Sequence, residues 1–284
     1  MRVSHLLTGA VAAVAVAAAT ATAVTTATGA SPARAIPAAR LRPAPPPVRY
    51  VALGDSYTAG ALGGDGRPGQ AGCARSADAF PALWARRHAP ASFTSVACAG
   101  ATTWGVARQQ VSALSAGTTL VSLTVGGDDA GFSHVMQTCV LKLWNSGCLD
   151  AVASAGAFIT STLPGRLDAT LRAIRARAPS ARIVVLGYPD LYDLSRSAGC
   201  IGLSGAKRAA LDRGAGLLDR ALSAAAARNG DVFADVQPHF AGHEICDPGS
   251  WLHAVTFPLG DSYHPTAAGQ ERGYLRAFTA AAGR

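Results

Sequence analysis

The chain has 284 residues, of which 49% are hydrophobic and 15% charged, and this composition suits a folded domain and excludes a largely disordered chain. The formal net charge is +8 at pH 7, yet the arginines are scattered or lie on helical segments, with no basic block and no interleaved aromatic residues. We therefore expect no nucleic-acid partner, and at most weak attraction to anionic lipid or cell-wall surfaces.

The N-terminal segment has the features of an export signal. A basic start precedes an Ala/Val-rich run from Leu6 to about Val24, and Ala33-Arg34-Ala35 is a small-x-small cleavage signal. We expect a signal peptide at 1–35 and a secreted, extracellular protein, because the run is too weakly hydrophobic to favour a retained membrane anchor. Residues 36–47 contain five prolines and suit an extended linker, which leaves one domain at 48–284.

Apolar runs alternate with helical patterns along this domain, which predicts a parallel sheet with helices on both faces. The strands are predicted near 48–54, 93–97, 119–125, 182–187 and 231–235. The helices are predicted near 77–88, 103–115, 150–178, 204–229 and 266–281. Two longer irregular regions, 57–76 and 237–263, are expected to build a site, because loops at the carboxyl ends of parallel strands do so in such folds.

Six cysteines follow the export signal, and an even number in an exported chain favours disulfides. Their spacings lack the paired C-x-x-C pattern typical of zinc, so we expect no metal site there. Sequence alone allows many pairings, but we favour neighbours, because each loop then closes within one βα region. The favoured pairs are Cys73–Cys98, Cys139–Cys148 and Cys200–Cys246.

Polar or glycine-rich segments come directly after several predicted strands or near the end of the chain. They are Gly54-Asp55-Ser56, Cys98-Ala99-Gly100-Ala101, Gly126-Gly127-Asp128-Asp129 and Asp261-Ser262-Tyr263-His264-Pro265. Each segment alone is weak evidence, because a serine after a strand is usually a helix cap and a Gly-Gly pair is usually a turn. A parallel sheet brings such strand ends to one edge, so together they predict a site there.

The residue types at this edge suit nucleophilic catalysis. A catalytic serine needs a base within hydrogen-bond reach, a group that orients the base, and donors for the oxyanion. Ser56 and His264 can be the nucleophile and the base, and Asp261 can orient the imidazole through Nδ1. The backbone amides of Ser56 and Gly100 can donate to the oxyanion. Asp55 is expected to be a structural cap, since adjacent residues in a turn point apart.

The segments GDSY, ACAGA, VGGDDAGF and DSYHP stand in the order and spacing of the four sequence blocks of the GDSL or SGNH hydrolases. The chain resembles that family from Val48 to about Tyr274, and most of all its secreted actinobacterial, Streptomyces-type lipases and phospholipases. The resemblance implies a three-layer α/β/α sandwich with a five-stranded parallel sheet, flavodoxin-like in type. It also implies a Ser56 nucleophile, a His264 base and sequential disulfides, and it gives no indication of a cofactor.

Two positions depart from the family pattern or leave a choice open. The family has asparagine in the third block, where its side-chain amide donates to the oxyanion, but this chain has Asp128. An ionised Asp128 would repel the oxyanion, whereas a protonated one, with its pKa raised by burial and by Asp129, could donate. The second choice concerns His264, which close relatives orient with a main-chain carbonyl at the position of Ser262 in place of Asp261.

We expect a secreted, monomeric serine esterase or lipase that acts on glycerides, phospholipids or short-chain esters, with transient contact to lipid surfaces. A carbohydrate acetyl esterase of the same fold is one alternative. The other is a catalytically impaired surface-binding protein, in which Asp128 has removed the chemistry.

Overall fold

The computed structural model describes residues 20–23, 47–61, 72–196, 200, 202–256 and 262–283. The chain divides into two units, Met1–Ala44 and Pro45–Arg284. In the first unit, residues 20–23 are exposed and belong to no helix or strand. The predicted signal peptide and linker otherwise lie outside the described residues, so these two assignments stay predictions. The following description concerns the second unit.

A five-stranded parallel sheet forms the centre of this unit, with the strand order β2-β1-β3-β4-β5. The strands are β1 Arg49–Gly54, β2 Ser92–Ser95, β3 Leu120–Thr124, β4 Arg182–Leu186 and β5 Val232–Ala234. All five predicted strands are confirmed. Strands β1, β3 and β4 are almost fully buried, as expected for a sheet covered by helices on both faces. The predicted three-layer α/β/α sandwich is therefore confirmed.

The helices cover the sheet and supply the connections between strands. They are α1 Ser56–Ala59, α2 Phe80–His88, α3 Thr103–Gly105, α4 Phe132–Leu141, α5 Asn145–Ser161, α6 Leu163–Arg177, α7 Gly205–Asn229, α8 Gln237–Phe240 and α9 Leu275–Ala282. Helix α3 continues into a π turn, Val106–Gln110, and a 3₁₀ turn, Val111–Ala113, and a second π turn, Gly269–Tyr274, precedes α9.

Two helix predictions were wrong. The single helix predicted at 150–178 is the pair α5 and α6, which are separated at Thr162 because Pro164 stands in the first turn of α6, where it cannot donate to the preceding helix. Helix α4 was not predicted at all. The signal was nevertheless present, since buried and half-buried apolar residues recur there at helical spacing. They are Phe132, Val135, Met136 and Cys139.

The end of β1 is fixed by backbone geometry that requires glycine. Gly54 has a φ of +133°, and a Cβ at this position would lie 2.4 Å from the carbonyl oxygen of Thr124 on β3. The side chain of Gln110 holds the same peptide from the other side, accepting from Gly54 N at 2.7 Å and donating to Gly54 O at 2.9 Å. The direction in which the chain leaves β1 toward Ser56 is therefore set by close packing.

We expect Gly54→Ala to destabilise the protein by roughly 3 kcal/mol, because the new methyl group collides with the backbone of a central strand. The matched control is Gly230→Ala, which also has a positive φ but nothing within 4 Å of the added Cβ, and it should cost about 1 kcal/mol. Urea unfolding of both variants measures the difference. Equal losses in the free energy of unfolding for the two variants would show that the collision at Gly54 does not destabilise the protein.

Candidate functional site

The structure brings Ser56 and His264 together, although they are far apart in the sequence. Ser56 is the first residue of α1, directly after β1, and His264 lies in the segment that precedes the final helical region. The His264 Nε2 and Ser56 Oγ atoms are 2.8 Å apart. Both residues are buried, with exposed fractions of 6% and 8%. This is the contact that a serine nucleophile requires with its base.

Asp55 is the cap of α1, as expected from the sequence. Its Oδ1 accepts from Tyr57 N at 3.0 Å and from Thr124 Oγ1 at 2.6 Å, and its Oδ2 accepts from the hydroxyl of Tyr188. Burial raises the pKa of this carboxyl to about 6, although these hydrogen bonds oppose the increase. Asp55 therefore connects α1 to the ends of β3 and β4 and holds Ser56 in place.

Tyr188 connects the segments that follow three different strands. It comes shortly after β4, it donates to Asp55 after β1, and its hydroxyl oxygen accepts from Gly127 N after β3 at 3.4 Å. The sequence showed only a tyrosine beside Pro189, so this role was not predicted. No local pattern could have revealed it, because the three partners are distant in the chain.

The loop that carries His264 is held by Tyr57. The Tyr57 hydroxyl donates to the carbonyl oxygen of Tyr263 at 2.8 Å, and the Tyr57 ring lies 5.4 Å from the His264 ring. His253 fixes the same loop, because its backbone accepts from Tyr263 N and donates to His264 O, both at 2.9 Å. Tyr57 therefore adjoins the nucleophile in sequence and supports the base in space, which sequence reasoning missed.

The choice between the two predicted partners of the imidazole stays open. Asp261 lies outside the described residues. Ser262, whose carbonyl is the alternative, is buried, and its hydroxyl accepts from Thr256 N at 2.9 Å and donates to Thr256 O at 3.2 Å. The Ser262 side chain is thus anchored just before the base.

Gly100 lies in a turn that is attached to the end of β1. Cys98 N donates to Gly54 O at 2.9 Å, and the Cys73–Cys98 disulfide holds this turn from the other side. Gly100 has a φ of +80°, which favours glycine, and a Cβ there would meet nothing within 4 Å. The side of Gly100 on which a Cβ would lie is therefore open space.

The two adjacent aspartates after β3 have different surroundings. The side chain of Asp129 is fully buried; it accepts from Thr103 N at 2.7 Å and from Thr103 Oγ1 at 2.6 Å, and it pairs with Arg166 at 3.4 Å. It thus anchors the start of α3. For Asp128, burial followed by the negative charges of Asp55 and Asp129 raises the pKa of the carboxyl to about 7. A substantial fraction of Asp128 is consequently protonated near neutral pH.

An apolar pocket of about 80 Å³, partly open to solvent, adjoins this site. It begins at Tyr57, Gly127 and Tyr188 and extends between α4, α5 and α7. Its apolar lining includes Val135, Met136, Val152, Ile159, Leu211 and Leu218. The sequence did not predict this pocket, because one wall is the unpredicted helix α4.

Trp104, Trp144 and Trp251 do not line this pocket. Trp251 is buried and stacks on His243 with a centroid distance of 3.7 Å, whereas Trp104 and Trp144 are exposed.

The cysteines pair as predicted, Cys73 with Cys98, Cys139 with Cys148 and Cys200 with Cys246. Among the described residues, no cluster of His, Cys, Asp or Glu side chains could hold a metal ion. In the same part of the chain, none of the helices combines the length and hydrophobicity needed to span a bilayer.

Comparisons with known proteins agree with this geometry. The model of the GDSL-like Lipase/Acylhydrolase family matches residues 52–272. The chain is 47% identical over 234 residues to Lipase 1 of Streptomyces coelicolor. This alignment covers 82% of the chain and 86% of that lipase. Among solved structures, it resembles phospholipase A1 of Streptomyces albidoflavus NA297, with 48% identity, a TM-score of 0.79, and coverage of 83% of this chain and 99% of the other. It also resembles the extracellular lipase of Streptomyces rimosus, with 45% identity, a TM-score of 0.79, and coverage of 82% and 99%.

Tyr57→Phe tests whether Tyr57 positions the base. Loss of the hydroxyl leaves the buried carbonyl of Tyr263 without this donor, so we expect a stability loss of about 1–2 kcal/mol. We also expect kcat for a p-nitrophenyl ester to fall roughly 10-fold with little change in KM, because the imidazole loses its alignment. The control is Tyr192→Phe, which removes a hydrogen bond to the Tyr263 hydroxyl and should leave kcat unchanged. Similar kcat values for both variants would contradict the positioning role.

Proposed function

Because this chain belongs to the GDSL-like lipase/acylhydrolase family and is an ester hydrolase, we propose that it is a secreted serine lipase that cleaves long acyl chains from lipid esters through an acyl-enzyme on Ser56. The observation that carries the proposal is the Ser56–His264 hydrogen bond, next to an apolar pocket that is lined by the neighbouring Tyr57. Secretion is supported by the disulfides and by the extracellular lipase of Streptomyces rimosus, to which the chain is similar.

In the proposed reaction, His264 Nε2 takes the proton of Ser56 Oγ as this oxygen attacks the ester carbonyl. The tetrahedral intermediate collapses and expels the alcohol, which receives the proton from His264. Water then gives a proton to His264 and attacks the acyl-enzyme, which releases the fatty acid and restores Ser56. Asp261 or the carbonyl of Ser262 keeps the imidazole in the required tautomer by accepting from Nδ1–H.

The oxyanion would receive hydrogen bonds from the backbone amides of Ser56 and Gly100 and from the protonated carboxyl of Asp128. A neutral carboxylic acid has one O–H donor, which replaces one of the two N–H donors of the asparagine found in the family. An ionised Asp128 has none and repels the developing charge. The pKa of about 7 therefore makes the chemistry dependent on pH.

The apolar pocket supports an acyl chain as the part of the substrate that is recognised. Ligand pockets are typically lined by apolar side chains, with a few polar groups that orient the ligand, and here the polar side chains of the lining are those of Tyr57 and Tyr188, at the end near Ser56. The deacetylase alternative needs no such pocket. The alternative of a catalytically impaired surface-binding protein depends on Asp128. The following experiment distinguishes it from an esterase.

We expect Ser56→Ala to abolish hydrolysis of p-nitrophenyl esters and Asp128→Asn to change its pH dependence. The wild-type rate should fall above an apparent pKa of about 7, because deprotonation of Asp128 removes a donor. Asp128→Asn should remove this alkaline decline and be faster by roughly 10²-fold at pH 9, where about one carboxyl in a hundred stays protonated.

An alkaline decline that persists in Asp128→Asn would exclude the protonated donor. If the wild type shows no Ser56-dependent turnover at any pH and Asp128→Asn restores it, the natural protein is a binding protein and not an esterase.

The pocket predicts a dependence on chain length. Ala155 on α5 lines the pocket, so Ala155→Phe should lower kcat/KM for the palmitoyl ester by roughly 10-fold or more while leaving the acetyl ester unaffected. The control is Ala153→Phe on the exposed side of the same helix, which should change neither rate. Equal losses for both esters would show that the acyl chain binds elsewhere.

A further inference from the structure

The connection between α4 and α5 exposes large apolar side chains. We call Leu141–Trp144 the α4–α5 loop. Leu141, Leu143 and Trp144 have exposed fractions of 65%, 90% and 80%, and they lie within four consecutive positions. Single exposed apolar residues are ordinary, but a contiguous exposed group of this kind marks an interaction surface.

The backbone that carries these side chains is held firmly. The Cys139–Cys148 disulfide closes the loop on both sides. The buried Lys207 donates through Nζ to Cys139 O at 2.9 Å and to Lys142 O at 2.5 Å. At the far side, Ser204 Oγ is 2.7 Å from Asn145 Oδ1. The large apolar side chains are therefore exposed on a loop whose backbone is fixed by a disulfide and by hydrogen bonds.

Helix α4 connects this loop to the site. At its beginning, the Phe132 ring lies 6.3 Å from the His264 ring. A small cleft of about 20 Å³, partly open to solvent, lies along α4 from Phe132 to Val140 and is bounded by Ser262 and Tyr263 of the loop that carries His264. Leu141 lies nine helical steps after Phe132, a distance of about 14 Å. The exposed apolar group thus begins directly after Val140, where this cleft ends.

The loop also carries positive charge. Lys142 is exposed between Leu141 and Leu143. Helix α5 begins directly after Trp144, with no side-chain cap and no acidic residue in its first turn, so the positive end of its dipole adjoins the loop. Apolar side chains beside a lysine match the boundary of a phospholipid bilayer, where acyl chains meet phosphate groups. Tryptophan is favoured at that boundary because its ring is apolar and its N–H is polar.

We propose that the α4–α5 loop docks this enzyme on phospholipid bilayers, with Leu143 and Trp144 inserted at the boundary and Lys142 near phosphate. The inference rests on the proposed lipase function for its purpose. Docking through this loop places one end of α4 in the lipid and leaves the other end, at Phe132, beside His264.

The test measures co-sedimentation with vesicles of phosphatidylcholine and phosphatidylglycerol, in the Ser56→Ala background so that the bilayers stay intact. Leu143→Ser with Trp144→Ser should weaken partition by at least about 10-fold, because two apolar side chains no longer enter the bilayer. Leu143→Ile with Trp144→Phe keeps the apolar character and should retain binding. Leu194→Ser, at an exposed leucine of another loop, should also retain it.

With Ser56 restored, the variant that carries Leu143→Ser and Trp144→Ser should hydrolyse p-nitrophenyl acetate at the wild-type rate. It should lose activity only on vesicles. Normal acetate hydrolysis also shows that the variant is folded. Unchanged vesicle binding in that variant, or no binding by the parent, would overturn the proposal, as would a change of oligomeric state caused by the substitutions. Loss of all ester turnover in the wild type would refute the lipase function instead, since sedimentation does not depend on catalysis.

Discussion

The carboxyl group of Asp55 is the interaction on which the rest of the site depends. It is buried at the end of β1 and receives hydrogen bonds from α1, from β3 and from Tyr188, which comes shortly after β4. Three separate parts of the chain are therefore fixed relative to Ser56 by one side chain. Because such a group is costly to bury unless it is fully hydrogen-bonded, the donors around it form a unit that tolerates little variation.

The same carboxyl group affects the chemistry. Its negative charge helps to raise the pKa of Asp128, which links the structural support of the nucleophile to the protonation of the proposed oxyanion donor. An asparagine in the third sequence block would be insensitive to this charge. In the proposed mechanism, Asp128 makes the reaction sensitive to the charges around it, while the neighbouring Asp129 is bound to Thr103 and Arg166.

The sequence was sufficient to predict the sheet and the pairing of Ser56 with His264. Buried parallel strands appear as continuous apolar runs, and the residues after them must meet at one edge. Tyr57 and Tyr188 were missed because their roles arise from hydrogen bonds to partners far along the chain. The pocket was missed with α4, whose helical spacing of Phe132, Val135 and Met136 follows a glycine-rich segment that resembles a loop. Asp261 lies outside the described residues, so its role stays a prediction.

The separation of Ser56 and His264 along the chain has a consequence for when the site can exist. The proposed nucleophile follows the first strand, and the proposed base comes after the last strand, 208 residues later. No fragment that emerges early in synthesis contains both, and local folding around β1 cannot create the pair. The proposed catalytic pair therefore forms only when the polypeptide is nearly complete and the segment after β5 has packed against the segment after β1.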